Sequence, residues 1–218
     1  MVRWLGLPNI DPVQVLFLFA ILLISLSVHE AAHAWSANRL GDNTARLLGR
    51  VSINPLVHID PLGTIVLPLI AMFSGLPIIG WAKPVPVNPR NLGGGWRQKY
   101  MLIAAAGPAS NLLIAILGAI VFRLAGGFES GGIADRYSLV SVMGRAVDLN
   151  VLLAVFNMLP VPPLDGGNVL AGLLQGPVAD AYDKLRPYGF IILYVLLLTG
   201  AFATLVYPVS DRIVGWLL

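Results

Sequence analysis

Residues 12–37 read PVQVLFLFAILLISLSVHEAAHAWSA, and the ionisable side chains among them are His29, Glu30 and His33 alone. The uncharged run Val13 to Val28 leads straight into these three. As a helix rising 1.5 Å per residue, the stretch is long enough to cross the hydrocarbon core of a bilayer. Placing an ionisable group at membrane depth costs about 2 kcal/mol or more, so three adjacent ones mark a working site. The competing reading is a cleaved leader. Its one small-x-small cleavage candidate, Ala32-His33-Ala34, would cut through the ionisable cluster, and the leader is rejected on that ground. A retained span over about residues 12–40 is expected, ending with Arg39 in its last turn and Gly41 just beyond.

Composition extends this reading to the whole chain. Of 218 residues, 57% are apolar and 11% charged, and the mean hydropathy is +0.80. A soluble domain carries about a quarter charged residues, so a water-soluble globule is excluded, and disorder, collagen and coiled coil fall with it. The chain lives in a membrane. It has no cysteine, so disulfides, thiolate catalysis and thiolate metal sites are excluded, and any metal must be held by His, Asp or Glu. A net charge of +3 spread over many loops fits basic membrane loops and argues against nucleic acid as a partner.

Working outward from the first span, residues 42–60 are polar. The Leu47-Leu48-Gly49-Arg50-Val51-Ser52-Ile53 pattern predicts one or two short interfacial strands. Residues 61–80 are apolar but contain Pro68 and Pro77, which predicts a short, kinked or re-entrant span. Residues 81–90, with Pro84, Pro86 and Pro89, must be extended, and Gly93-Gly94-Gly95 reads as a flexible joint. Further spans are expected at 99–124, interrupted by Gly107-Pro108, at 143–160, and at 187–207. Residues 126–136 form a Gly-rich loop between the first two of these. A short helix is expected over 168–174, and the tail from Pro208 should lie at the interface. The fold class is therefore an all-α polytopic membrane protein, one domain over residues 1–218, with about five to six spans and short interfacial β or extended segments.

The chemistry sits in His29-Glu30-Ala31-Ala32-His33. Two histidines four apart on a helix project from one face, and both imidazoles reach one metal. Glu30, displaced by one residue, lies beside that metal as a general base. A tetrahedral catalytic zinc needs a third protein ligand, and the candidates are His58, Asp60, Asp148 and Asp165. Asp165 stands out by context. It follows the helix-breaking run Pro160-Val161-Pro162-Pro163, and broken helices are tolerated at membrane depth only against protein or a water-filled cavity.

Three motifs then resemble the site-2 protease family of intramembrane zinc metalloproteases. They are His29-Glu30-x-x-His33, Gly107-Pro108-Ala109-Ser110-Asn111, and Asn157-x-x-Pro160-x-Pro162-Pro163-Leu164-Asp165-Gly166-Gly167. They stand in the family's order, and the resemblance covers about residues 25–169. Segments 54–61 and 80–89 are similar to its small bacterial and archaeal branch, with no room for the PDZ domain that some members insert. The resemblance implies a site-2 protease-like core in which His29, His33 and Asp165 hold one zinc ion per chain and Glu30 activates water. It also implies that Asn157 and Asn111 donate to the developing oxyanion or hold the substrate backbone, with Asn157 the oxyanion donor. The implied activity is endoproteolysis in or near the transmembrane segments of membrane proteins. The partners are then a substrate with a transmembrane helix and the lipid bilayer, with the role of His58 left open.

Arg39, Arg46 and Arg50 follow the first span and Arg3 alone precedes it, so the span's C-terminal end, and the site near it, should face the cytoplasm of a multi-pass cell-membrane protein. A substrate helix must unwind before its amides are accessible. The extended segment, through Val85 and Val87, is a candidate edge for pairing with the unwound strand. The rival readings are a membrane metal-ion transporter, which broken helices and intramembrane acids would suit, and a non-catalytic scaffold that binds helices. The chain shows no repeat, which counts against the first, and it lacks neither base nor ligands, which counts against the second.

Overall fold

In a computed structural model, residues 11–74, 81–127 and 137–218 are described. Asp11 caps α1 (Pro12–Arg39), its carboxylate accepting from the Val13 N–H at 3.0 Å, and Pro12 fills the first turn, where no amide hydrogen is needed. A single turn, α2 (Thr44–Leu47), follows. After a 3₁₀ turn at Pro55–Val57, a π-helical turn at Pro61–Val66 leads into α3 (Leu67–Ser74). The long α4 (Trp96–Leu124) runs through Pro108 without a break. Then come α5 (Leu139–Asn157), capped by Ser138, and the short α6 (Asp165–Leu173) and α7 (Gly176–Asp183). The last two helices are α8 (Gly189–Leu198) and α9 (Ala201–Leu217).

The architecture is all-helical, as composition and periodicity predict. Helix α4 is the hub: α1, α5 and α6 pack directly against it, and α9 packs on α5. Small residues make this possible. Ala115 and Ala119 of α4 meet Val147 and Val151 of α5 in a buried cluster closed by Ile213, Val214 and Leu217 of α9. Close backbone approach through small side chains is how helices associate where lipid removes the hydrophobic drive. The outward faces carry Leu16, Leu113, Leu124 and Leu198, all exposed, as a lipid-facing surface requires.

Among the described residues, α1, α4 and α5, of 28, 29 and 19 residues, are long and apolar enough to cross a membrane. A fourth crossing is counted if the segment 176–217, bent by 78° at Thr199-Gly200, is one span, and Pro61–Ala71 is a shorter apolar helix.

Several local expectations are corrected. No strand forms over 42–60, where the backbone is held by side chains instead of a ladder. Asp42 accepts from the Asn88 N–H at 2.7 Å, the Asn91 amide at 2.8 Å and the Thr44 N–H at 3.1 Å. Burial pushes the Asp42 carboxyl up, but hydrogen bonds from Thr44, Asn91 and Asn88 outweigh it and hold it below the usual carboxylate range. Arg50 donates to the carbonyls of Val57, Lys83 and Pro84. Residues 81–88 form neither helix nor strand, and the segment expected to stay extended to residue 90 enters a 3₁₀ turn at Pro89–Leu92.

The expected interruption at Gly107-Pro108 is absent. Pro108 removes one amide hydrogen but lies buried in a continuous helix. The span expected at 143–160 starts four residues earlier, at Leu139, because Ser138 supplies the cap. The span expected at 187–207 is divided at Gly200, whose φ of 74° suits glycine. The tail from Pro208 continues α9 and packs on α5. The Pro77 kink and the loop at 128–136 lie outside the described residues.

Candidate metal centre

Two helices bring the site together. His29 and His33, one turn apart on α1, face α4, and Asp165 in the first turn of α6 closes over them. Asp165 Oδ2 lies 3.1 Å from His29 Nε2 and 3.3 Å from His33 Nε2, and the two Nε2 atoms are 3.0 Å apart. Among the described residues this is the cluster of His, Asp and Glu side chains whose ligand atoms converge within 4.8 Å.

The opposite ring nitrogens are both held. His33 Nδ1 lies 2.7 Å from the Ile103 carbonyl of α4. A carbonyl can only accept, so Nδ1 carries a hydrogen, and in the neutral ring Nε2 presents a lone pair. His29 Nδ1 lies 2.6 Å from Asn111 Oδ1 and takes the same tautomer. Asp165 Oδ2 is buried and receives no hydrogen bond. With both imidazoles neutral, three acceptors point at one another about 3 Å apart, an arrangement that repels unless a cation lies among them. Two imidazoles and a carboxylate, each imidazole fixed through its second nitrogen, are the donor set of a catalytic zinc site. The residues fit the ion.

Glycines let the helices come this close. A Cβ on Gly107 would lie 2.4 Å from His33 Nε2 and 2.6 Å from His29 Cε1. At Gly166 it would lie 2.2 Å from the Met158 carbonyl oxygen, and at Gly167 2.8 Å from the Pro162 nitrogen. Gly166 and Gly167 therefore let α6 tuck beneath the proline-rich turn that delivers Asp165. In the sequence these glycines read only as motif letters, and the close approaches are what they serve.

Glu30 is buried, and its Oε2 accepts from the Val85 N–H at 3.0 Å. This changes the expectation for the extended segment. Val85 offers its hydrogen to Glu30, and the half-buried Val87 packs on Ala37, Leu92 and Ile103. Lys83 N–H donates to the His58 carbonyl at 2.8 Å. Pro84 and Pro86 have no hydrogen to give, and the Lys83 and Val85 N–H groups are spent on the protein itself. The segment positions Glu30, and Val85 is not an open pairing edge.

Asn111 is also corrected. It is 0% exposed, with its oxygen on His29 and its amide donating to Asn150 Oδ1 at 2.9 Å and toward the Ser25 carbonyl at 3.5 Å. Both amide hydrogens are spent behind the histidine, leaving none for a substrate oxyanion. Asn157, half-buried at the end of α5, donates to the Leu153 carbonyl of its own helix at 2.9 Å.

The other ligand candidates lie elsewhere. His58 is buried with Nε2 donating to the Ser52 carbonyl at 2.7 Å, which makes it a joint between loops. Asp60 caps the π-helical turn through the Leu62 and Gly63 N–H groups, and Asp148 is not part of the converging cluster. Sequence reading passed over Asn150, which is 0% exposed. The signal was there: a buried amide in an apolar span, two turns before Asn157, needs a partner.

Comparison with known proteins follows the same lines. The profile of peptidase family M50 matches residues 127–199, which hold α5 and the Asp165 motif. YwhC of Bacillus subtilis (strain 168), named as a zinc metalloprotease, is 36% identical over 202 residues, covering 89% of this chain and 86% of YwhC. Rip2 of Mycolicibacterium smegmatis, named likewise, is 32% identical over 217 residues, covering 95% of this chain and 80% of Rip2. Rip2 of Mycobacterium tuberculosis (strain H37Rv) is 27% identical over 222 residues with the same two coverages. Similarity over 95% of the chain takes in both α1 and α6. No solved structure matches at a significant level.

Proposed function

The chain belongs to peptidase family M50 and is a zinc metalloprotease of the membrane, and we propose that it hydrolyses peptide bonds in or near the transmembrane segments of membrane protein substrates. The observation that carries this reading is the convergence of three ligand atoms, His29 and His33 from a helix that suits a bilayer and Asp165 from α6, beside Glu30. In this reading His29, His33 and Asp165 hold one zinc ion per chain. A zinc ion so held supplies Lewis-acid polarisation of the scissile carbonyl and makes water acidic enough to attack near neutral pH.

The protein's own groups do the rest. Glu30 takes the proton from the attacking water as the new C–O bond forms. It returns that proton to the amide nitrogen as the C–N bond breaks. The Val85 N–H holds Glu30 Oε2 in place, leaving the second carboxylate oxygen for the proton. Asn157, at the end of α5 near the proline-rich turn, is our proposed oxyanion donor through its second amide hydrogen.

Water access supports the same reading. His33 lies six residues from Arg39, so the site is about 10 Å below the end of α1, and the basic residues Arg39, Arg46 and Arg50 favour the cytoplasmic side for that end of a multi-pass cell-membrane protein. The test is the position of the cut. The purified chain in detergent, given single-span substrates, is expected to yield fragments whose new termini, read by mass spectrometry, fall inside the span or within a turn of it. Cutting confined to soluble regions, with every span left whole, would overturn the intramembrane reading while leaving the peptidase intact.

A further inference from the structure

His33 takes its tautomer directly from a backbone carbonyl, whereas His29 does not. Behind His29 stands a chain of two fully buried amides that crosses three helices. His29 Nδ1 meets Asn111 Oδ1 of α4 at 2.6 Å, and Asn111 Nδ2 meets Asn150 Oδ1 of α5 at 2.9 Å. Asn150 Nδ2 meets the Ala146 carbonyl at 2.8 Å and Ser25 Oγ of α1 at 2.9 Å. Neither asparagine is exposed at all, so no water competes for these bonds.

The chain has a direction, and one atom sets it. The Ala146 carbonyl can only accept, so the Asn150 amide nitrogen must face it and the Asn150 oxygen must face Asn111. Asn111 then donates toward Asn150 and turns its own oxygen to His29. His29 Nδ1 must therefore carry a hydrogen, and in the neutral ring Nε2 is left as a lone pair pointing toward Asp165. Turning either amide over would set donor against donor at one end and acceptor against acceptor at the other, inside a dry helix junction where an unmade bond costs about 1–3 kcal/mol.

We propose that Asn150 is a positioning residue of the metal centre, fixing the tautomer and ring orientation of His29 through Asn111 while touching neither metal nor substrate. The proposal rests on the reading of His29 as a zinc ligand. An ordinary role as helix glue would strengthen the α1–α4–α5 junction but would have no bearing on zinc affinity.

Zinc affinity is measured by competition with a chelator on the detergent-purified chain, with no substrate present. Asn150→Leu, close to asparagine in size, is expected to weaken zinc binding about 10- to 100-fold, the usual effect of losing an outer-layer partner of a ligand. Asn111→Leu should weaken it at least as much. The double variant should be no weaker than Asn111→Leu alone, because the two amides act in series. Should Asn150→Leu not fold, Asn150→Ala cuts the same chain without filling the junction and carries the same expectation. Wild-type affinity in a folded Asn150 variant, or a double variant whose loss is the product of the two single losses, would overturn the proposal. A His29→Ala arm separates the premise: if it keeps full zinc affinity, the ligand reading fails, whatever Asn150 does.

Discussion

Gly107→Ala is expected to strip the protein of zinc and activity together, although the change adds one methyl group and no charge. The added Cβ would lie 2.4 Å from His33 Nε2, 2.5 Å from His33 Cε1 and 2.6 Å from His29 Cε1. Real carbon atoms do not come that close, so either the imidazoles or α4 must move. Helix α4 is poorly placed to yield, because α1, α5 and α6 all pack on it. The His33 ring is held by the Ile103 carbonyl of the same helix, so a shift of α4 carries that anchor with it. Overpacking a tight contact costs about 1–3 kcal/mol, and a metal site tolerates displacement of its ligands of about 0.5 Å. The expected result is a zinc affinity at least about 100-fold weaker by chelator competition, at a cost equivalent to some 3 kcal/mol of ligand geometry. Wild-type zinc binding in Gly107→Ala would mean that α4 does not lie against the two rings.

Glu30→Gln should separate the two functions that Gly107→Ala loses together. Glutamine keeps an oxygen acceptor for the Val85 N–H, now 3.0 Å from Glu30 Oε2, so the extended segment stays where it is. It also leaves His29, His33 and Asp165 untouched, and zinc content should remain at the wild-type level. What disappears is the proposed general base. General-base catalysis contributes about 10²- to 10⁴-fold, and turnover of a single-span substrate should fall by that factor. Measuring zinc and turnover on the same preparation checks both halves. A Glu30→Gln variant that cleaves at the wild-type rate would remove Glu30 from the mechanism.

Much of the fold could be read from where charge is absent. The run Val13 to Val28 predicts α1 to within a residue or two, because Asp11 and Pro12 mark one end and Arg39 with Gly41 the other. Segment 42–60 misled for a physical reason. Its short apolar pattern suits strands, but its backbone partners are the side chains of Asp42 and Arg50, and local pattern cannot show a bond across 33 or 46 residues. The break at Gly200 was hidden inside a long apolar run for the same reason that apolar runs are easy to see: hydropathy reports burial in lipid, not direction.

The site was legible where spacing alone determines geometry. The facing of His29 and His33 follows from helical periodicity, whereas the proline-rich approach only singled Asp165 out among four candidates, and the family resemblance made it the third ligand. Asn111 and Val85 were visible as residues but not in their roles, because each role depends on which helix lies behind it. Asn111 faces His29 from α4, and Val85 spends its N–H on Glu30. Gly107 could be read as a family letter, yet its purpose, room for two imidazoles, exists only once α1 and α4 are packed.

In the proposed centre, α1 and α6 together hold the catalytic zinc through His29, His33 and Asp165. The most direct test is the zinc content of the purified wild type beside Asp165→Ala, by elemental analysis after gel filtration in detergent. One zinc per chain is expected in the wild type, and little or none in a folded Asp165→Ala. A full complement of zinc in Asp165→Ala would remove Asp165 from the metal centre.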